Sequence, residues 1–564
     1  MKPKKVKVDP IRLEIVSNGL RSIADETFVA LMKSAYSTNI KERRDHSTVI
    51  CDRDGRLVVQ AEASLPIHIA SMTGLMLHLL AQYRDDIREG DIFIANDPHV
   101  AGGTHLPDIN MAMPVFFKKK IVGFMCNIAH HADVGGMVPG SMAGGMSEIY
   151  QEGLRLPVVR LFREGLVQSD LLEVILLNVR VPQERRGDYF AQVAACRLGE
   201  RRLREIFDTY GAPLMLSAFD EIIHRTAKRM RAAIRTIPEG SYSFSDVMDD
   251  DGMGNSDIPI CVRIDIKDGH IRFDFAGTAK QVTGNINVTI NATQASVCYT
   301  LKALLDPDVP NNQGMLDLPE IVAEPGSLLN AVFPAPVAAR ANTCQRIIDV
   351  IIGALASALP QQVVAAANGA NTTAVFSGID PRNGAHYVYL ETLGGGFGGR
   401  ADKDGTDGVQ VHITNTSNLP VESIEMEYPL LVESYSLVED SGGPGRHRGG
   451  MGLRRAIRPV NHACNFNGAI ERAVHRPWGL FGGGEGAPGR FLHVSANHDA
   501  KSLPTKPSSV RVDAGERIIV ESPGAGGNGP PAERTREAIE RDRVSGKFSE
   551  SYLNRHYCLL RAAE

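Results

Sequence analysis

The 564-residue chain has the composition of a globular protein, with 43% hydrophobic and 23% charged residues, and its length predicts about three or four domains. A net charge of -5 and a single tryptophan argue against nucleic-acid binding, and no apolar stretch reaches the roughly 20 residues that cross a bilayer. The eight cysteines form no Cys-x-x-Cys pair and the basic start lacks an apolar signal segment, so we expect a reduced, cytoplasmic protein.

The first elements can be predicted from local signals. Asp9 and Pro10 form an N-cap followed by proline in the first helical turn, which predicts a long helix. Residues 48–50 and 57–60 flank an Asp-Gly turn and predict a hairpin. A helix rich in methionine and leucine is expected over residues 69–83.

A second hairpin carries the most informative residues. The apolar runs 109–117 and 121–129 flank three lysines, which predicts two antiparallel strands with Lys119 at the centre of the turn. That register places Asp108 opposite His130, with roughly 5 Å between Cβ atoms. His105 lies three residues before Asp108 on a Gly- and Pro-containing loop and can reach the same point. Two imidazoles and a carboxylate suit zinc or manganese.

The neighbouring residues leave alternatives open. A single His or Asp at a strand end is more often a turn cap, but a cluster of them among glycines favours a site. Strand alternation sends His130 and His131 to opposite faces, so only one is expected to be a ligand, while His131 or Asp133 serves in proton transfer. Glu62 is either a charge at a helix start or a fourth ligand.

The rest of the chain predicts an α+β, multidomain protein with mixed antiparallel sheets, helical layers and Gly-rich loops. Residues 171–230 are typical of helices, residues 242–275 of antiparallel strands and residues 350–359 of an apolar helix. Four regions are expected: an N-terminal α+β domain with the hairpin and a helical layer (1–240), a central α+β domain (241–440), a β-rich, Gly-rich region (441–531) and a charged C-terminal helix or tail (532–564).

Glycine-rich motifs suggest ligands but mostly lack the required context. Residues 394–399 spell G-x-G-x-x-G, yet a polar loop follows where a dinucleotide site needs a helix, and the chain has no P-loop. The loop 441–450 carries Arg446 and Arg448 and is either an anion site or a tight structural turn. The same two interpretations apply to residues 522–529.

An ordered set of motifs along nearly the whole chain resembles the hydantoinase B/oxoprolinase family. The matching phrases are ERRDHS (42–47), PIH (66–68), NDPH (96–99), GGTHLPD (102–108), HHADVGG (130–136), ETLGGGFG (391–398), DSGGPGRHRGG (440–450) and SPGAGG (522–527).

The resemblance implies the B subunit of an ATP-dependent amidase that opens a cyclic amide such as N-methylhydantoin, 5-oxoproline or a lactam. In that family a hydantoinase A-type subunit uses ATP and magnesium to phosphorylate the amide oxygen, and the B subunit's metal assists hydrolysis within a hetero-oligomer. By the resemblance, His105, Asp108 and His130 match the metal site and Glu62 is a weaker match.

Three further residues are expected to bind substrate or an anion, namely His68, Arg446 and Arg448. Two alternatives stay open for the function: a subunit of an ATP-dependent ketone carboxylase of the acetone or acetophenone type, and a noncatalytic scaffold.

Overall fold

The computed structural model describes residues 6–557, which form twelve α-helices and four β-sheets. Three of the sheets are antiparallel throughout, and the fourth contains one parallel pair. The predicted multidomain α+β class is confirmed. No helix within residues 6–557 is both long and apolar enough to cross a membrane.

The first sheet contains the predicted hairpins. Its strands are β1 (His46–Asp52), β2 (Leu57–Gln60), β3 (Ile92–Ala95), β4 (Asp108–Phe117), β5 (Lys120–His130), β6 (Val159–Arg163) and β7 (Leu166–Val167). They are ordered β2-β1-β5-β4-β3-β6-β7, so β4 and β5 occupy the middle of the sheet. Both strands are buried over most of their length because helices cover both faces.

Six helices surround this sheet: α1 (Pro10–Ser34), α2 (Thr38–Lys41), α3 (Ile69–Tyr83), α4 (Ser169–Leu177), α5 (Pro182–Tyr210) and α6 (Ala212–Ile234). Helix α1 begins where the sequence predicts, since the Asp9 carboxylate accepts hydrogen bonds from the N–H groups of Ile11 and Arg12. Helices α1 and α6 share one apolar cluster with the sheet, while α3 packs on the opposite face.

The central region follows with β8 (Gly240–Asp250), β9 (Ser256–Lys267), β10 (His270–Asp274) and β11 (Glu320–Val322), and with α7 (Ile290–Leu305), α8 (Gln313–Leu316) and α9 (Arg340–Leu355). The strands are ordered β11-β10-β9-β8. Helix α9 begins ten residues before the predicted apolar helix at residue 350. The first turns of α9 carry polar residues, so the predicted apolar helix did not include them, although these residues are buried.

The remaining strands are β12 (Thr372–Ile379), β13 (His386–Leu393), β14 (Leu430–Leu437), β15 (Leu453–Pro459), β16 (Cys464–Ala469), β17 (Arg490–Val494), β18 (Ala500–Ser502), β19 (Val510–Val512) and β20 (Arg517–Glu521), with helices α10 (Val421–Glu427), α11 (Arg536–Val544) and α12 (Glu550–Tyr557). They form two sheets, ordered β13-β12-β16-β19 and β14-β15-β20-β17-β18. Both sheets take strands from either side of residue 440, so the predicted boundary there cuts through them. The other domain boundaries stay predictions.

The glycine-rich loops pack against one another, backbone on backbone. Gly399 N–H donates to Gly526 O at 2.9 Å, Gly443 N–H to Ala525 O at 2.8 Å, and Gly450 N–H to Phe397 O at 2.9 Å. These contacts join the loops 394–399, 441–450 and 522–529. The backbones of these loops lie too close together to leave room for side chains. This supports the interpretation of the glycine-rich motifs as tight structural turns.

The substitution Gly449→Ala tests this packing. An added Cβ would lie 1.9 Å from Ala525 O, a backbone atom that cannot move alone, so we expect a loss of about 2 kcal/mol or more in the free energy of unfolding. Gly19→Ala is the matched control, because a Cβ there meets only the end of the Ile206 side chain and alanine favours the α1 helix. The measurement is calorimetric unfolding of both variants. Equal stabilities of Gly449→Ala and Gly19→Ala would contradict the expected close packing of the loops.

Candidate metal centre

The hairpin of β4 and β5 pairs Asp108 with His130, as the sequence predicts. The turn consists of Lys118 and Lys119, both with positive φ, and Phe117 pairs with Lys120. A β-bulge next to Val115 shifts the register by one residue, which restores the predicted pairing for the rest of the hairpin. The first residue of β4 therefore faces the last residue of β5.

The Asp108 carboxylate lies at the centre of a buried cluster. Its Oδ1 is 3.0 Å from His105 Nε2 and 3.3 Å from His130 Nδ1, and its Oδ2 is 3.7 Å from His68 Nε2. None of these residues is more than 5% exposed. The structure thus brings together three predicted ligands and one predicted substrate-binding residue.

Arg340, the first residue of α9, completes this cluster and was not found from the sequence. One of its terminal nitrogens donates to Asp108 Oδ2 at 2.6 Å and to Thr104 Oγ1 at 3.0 Å. The guanidinium holds one carboxylate oxygen, so Oδ1 is left facing His105 and His130. In the sequence, Arg340 is a single arginine in a polar stretch before an apolar helix, and this pattern does not identify a site by itself.

The charges of the cluster are set by burial and by Arg340. Burial alone would raise the pKa of Asp108, but His105 and Arg340 outweigh it and hold that pKa well below its ordinary value. Burial, and then Arg340, lower the pKa of His105 to about 4, although Asp108 opposes the change. At neutral pH the carboxylate is charged and the imidazole is neutral, and metal ligands need these states.

The donor atoms fit a divalent cation. One ligand atom from each of His105, Asp108 and His130 lies within 4.8 Å of the others. His130 Nε2 is buried and has no hydrogen-bond partner within the described chain, and the buried His105 Nε2 faces Asp108 Oδ1 at 3.0 Å. His105 Nδ1 lies 3.0 Å from Ala338 O and also 3.0 Å from the guanidinium of Arg340. A guanidinium only donates, so Nδ1 either donates to the carbonyl or accepts from Arg340, and in the first tautomer the Nε2 lone pair is directed at the cluster.

Glu152 supports His105 through the turn before α9. The buried Glu152 carboxylate accepts hydrogen bonds from the N–H groups of Val337 and Ala338, both at 2.7 Å. Burial raises the pKa of Glu152 to about 8, against these two hydrogen bonds. Glu152 thereby fixes the turn whose carbonyl faces His105 and from which α9 and Arg340 begin.

Asp45 is a further acidic residue that sequence reasoning did not assign to the site. It lines the same cavity, is 8% exposed, and its backbone carbonyl accepts a hydrogen bond from His130 N–H at 2.9 Å. Its carboxylate accepts no hydrogen bond from the described residues and lies 3.8 Å from Arg43. The only sequence feature that could have identified Asp45 is its position in the family phrase ERRDHS, residues 42–47.

Glu62 is not part of the cluster, so its prediction as a fourth ligand is corrected. The chain turns outwards after β2, where the Glu62 N–H donates to Asp25. The side chain is exposed and lines a different cavity with Arg21 and Lys302.

His131 and Asp133 are buried away from the cavity, so the predicted proton-transfer roles are corrected. His131 faces the helical layer, as strand alternation predicts, where its Nε2 lies 3.0 Å from Gln192 Oε1 and its ring stacks on Tyr189. Burial lowers its pKa to about 3. Asp133 accepts hydrogen bonds from Arg180 side chain and backbone at 2.7 and 2.9 Å, and so fixes a loop.

Arg446 and Arg448 do not line the cavity either, and their predicted anion-binding role is corrected. Arg446 pairs with Glu533 at 3.2 Å. Arg448 is buried and pairs with Asp407 at 2.8 Å and Asp542 at 3.1 Å. Carboxylates of the same chain neutralise both guanidinium groups, and Arg448 attaches helix α11 to the glycine-rich loop 441–450 through Asp542.

Known proteins share this architecture over its full extent. The chain is 32% identical to a putative D-/L-hydantoinase B subunit of a Pseudomonas species, over 96% of this chain and 93% of that protein. An ATP-dependent caprolactamase from Pseudomonas jessenii superposes with a TM-score of 0.93 at 28% identity, covering 98% of this chain and 96% of the other. A nucleotide-free acetone carboxylase superposes with a TM-score of 0.90 over 97% and 79%, and at 18% identity this shows a common fold.

The family hydantoinase B/oxoprolinase matches residues 9–531. The match includes all four sheets and every residue of the cluster around Asp108. The chain therefore belongs to the hydantoinase B/oxoprolinase family.

Proposed function

We propose that this chain is the metal-binding B subunit of an ATP-dependent amidohydrolase that opens a cyclic amide. The observation that carries the proposal is the buried cluster of His105, Asp108 and His130, whose ligand atoms lie within 4.8 Å of one another. Family membership and the likeness to a caprolactamase support the substrate class.

The metal would be held by His105, Asp108 and His130. Zinc or manganese suits such a set of nitrogen and oxygen donors, and would supply Lewis-acid chemistry for the attack of water on an activated amide. The protein's contribution is a rigid arrangement. Arg340 fixes Asp108, and the turn at Ala338 orients His105.

His68 is the residue best placed to hold or move a proton. Burial lowers its pKa, so the imidazole is neutral at neutral pH. Ser47 Oγ lies 2.8 Å from its Nδ1 and fixes the ring, while Nε2 points towards Asp108. The substrate-binding role predicted for His68 stays a proposal, and its position beside the cluster supports it.

The cavity around the cluster has one polar and one apolar side. Thr392, Thr414, Thr416 and Asn371 supply hydroxyl and amide groups that can orient an amide, whereas Leu65, Ile67, Met142 and Leu390 are apolar. Its volume of about 30 Å³ holds little more than a water molecule. A substrate therefore requires the surrounding loops to move.

The chemistry is divided between two subunits in this proposal. A relative is named as a B subunit, and the sequence contains no P-loop, so a hydantoinase A-type partner would bind ATP and magnesium and activate the amide. Water then adds to the activated carbonyl carbon and the ring C–N bond breaks. A second water releases the phosphoryl group as inorganic phosphate, so one ATP and two waters are consumed for each ring opened. The ring nitrogen becomes the amine of an open-chain amino acid for a lactam or 5-oxoproline, and a ureido nitrogen for a hydantoin.

Metal content of the purified chain tests the site directly. We expect stoichiometric zinc or manganese by mass spectrometry of the metal, and at least about tenfold less in His105→Ala and Asp108→Asn, since each loses a donor atom. The exposed His224 provides the control, because His224→Ala removes an imidazole outside the cluster. Metal retained in both cluster variants, or absent from the parent protein, would refute the metal site.

The substrate class requires the two-subunit enzyme. The chain should be co-expressed with an A-type subunit, and ATP turnover should be measured with hydantoins, 5-oxoproline and lactams. We expect turnover with a cyclic amide and loss of amide hydrolysis in His105→Ala. Turnover with ketones and bicarbonate alone would support the carboxylase alternative, for which the fold shared with acetone carboxylase is the only structural argument. Full activity of His105→Ala would instead indicate a scaffold.

A further inference from the structure

A second cavity lies at the free edge of the first sheet and takes no part in the proposed reaction. Its volume is about 280 Å³, and it is enclosed by α1, β2, α6, α7 and the loop that follows α7. Strand β2 has a neighbouring strand on one side only. Four charged side chains line the cavity: Arg21, Glu62, Lys302 and Asp308.

Gln60, the last residue of β2, lines this cavity with an unsatisfied amide. The residue is 7% exposed, and both its side-chain nitrogen and its oxygen are buried without a hydrogen-bond partner in residues 6–557. A buried amide without partners is unfavourable. A bound molecule that both donates and accepts hydrogen bonds would relieve it.

Lys302 is a desolvated cation without a carboxylate in direct contact. Its Nζ donates to the neutral Asn311 Oδ1 at 3.0 Å, and the nearby Asp306 is engaged by Arg229. Burial lowers the pKa of Lys302, although Asp306, Asp308 and Glu62 oppose the change from a distance. A ligand carboxylate would stabilise this ammonium.

The other three charged side chains of the cavity, Arg21, Glu62 and Asp308, are exposed. Within the described chain, none of them forms a salt bridge or a side-chain hydrogen bond. The cavity thus offers two cations and two carboxylates. Polyanions such as nucleotides are disfavoured by the carboxylates, whereas a small molecule with one charge of each sign is complementary.

We propose that this cavity binds a small free amino acid. Its carboxylate is recognised by Lys302 and Arg21, its ammonium by Glu62 and Asp308, and the Gln60 amide supplies a further hydrogen bond. Glu62 thereby has a role at a site other than the one that the family phrase suggested.

The segment 61–68 connects this cavity to the metal centre. Glu62 lines the amino-acid cavity, while Leu65, Ile67 and His68 line the cavity around Asp108. Ser47 Oγ accepts a hydrogen bond from Leu65 N–H at 3.0 Å and contacts His68 Nδ1, so a shift of this short segment reaches His68. A regulatory effect on turnover follows from this connection and rests on the proposed function, whose product is itself an amino acid. Binding alone does not depend on that function.

Calorimetric titration of the full-length chain tests the binding site. The probes are glycine, L-glutamate and 6-aminohexanoate, with hexanoate and hexylamine as partners that carry a single charge. We expect saturable binding of at least one amino acid, and binding at least about tenfold weaker for the single-charge compounds. If none of the three amino acids binds, or if hexanoate or hexylamine binds equally well, the proposal is wrong.

Variants locate the site. Lys302→Met and Glu62→Gln should each weaken binding about tenfold, whereas Lys267→Met, which removes an exposed charge on β9, should leave it unchanged. Thermal unfolding of each variant establishes that it is folded. His105→Ala should retain binding, because it alters only the metal centre. Binding that is lost in His105→Ala and retained in Lys302→Met would place the ligand at the metal centre and overturn the proposal. A chain that binds amino acids but shows no amidase activity would contradict only the proposed reaction.

Discussion

The buried charge of Asp108 is the constraint on which the site depends. A carboxylate removed from water is stable only if cations and hydrogen-bond donors surround it. Here those groups come from separate parts of the chain: the loop before β4, the end of β5, the segment before α3, and the first residue of α9. The cluster therefore forms only when the first sheet, α3 and α9 have packed together. Asp108 without Arg340 would be a buried, poorly compensated charge.

The glycine-rich half of the chain contributes to the same site indirectly. Thr392 is the second-last residue of β13, just before the loop 394–399, and lines the cavity around Asp108. Ser522 Oγ donates to Gly394 O at 2.7 Å and so fixes the chain that leaves β13. The close backbone packing of the three loops is thus a rigid support for one wall of the cavity, and the many glycines follow from that geometry. Internal ion pairs, such as Arg448 with Asp542, close the outer side of this support.

One segment, residues 61–68, lines both cavities. The cavity around Asp108 is small, and apart from the charged cluster it is lined by hydroxyl groups and apolar side chains, whereas the cavity beside β2 is larger and lined by charges of both signs. Chemistry that excludes water suits the first, and recognition of a charged small molecule suits the second. Segment 61–68 touches both, so their occupants would be coupled through a few residues.

The sequence by itself determined what depends on neighbours along the chain. The N-cap at Asp9, the helix over residues 69–83 and the pairing of Asp108 with His130 are local, because a short turn leaves little choice of register. The family followed from motifs in order. Only the tertiary structure revealed the contact of Arg340 with Asp108, which lies 232 residues away in the chain. The positions of Glu62 in another cavity and of Arg448 beside carboxylates also depend on the tertiary structure. No periodicity reports such contacts, because they are fixed by how separate elements pack and by where buried charges find partners.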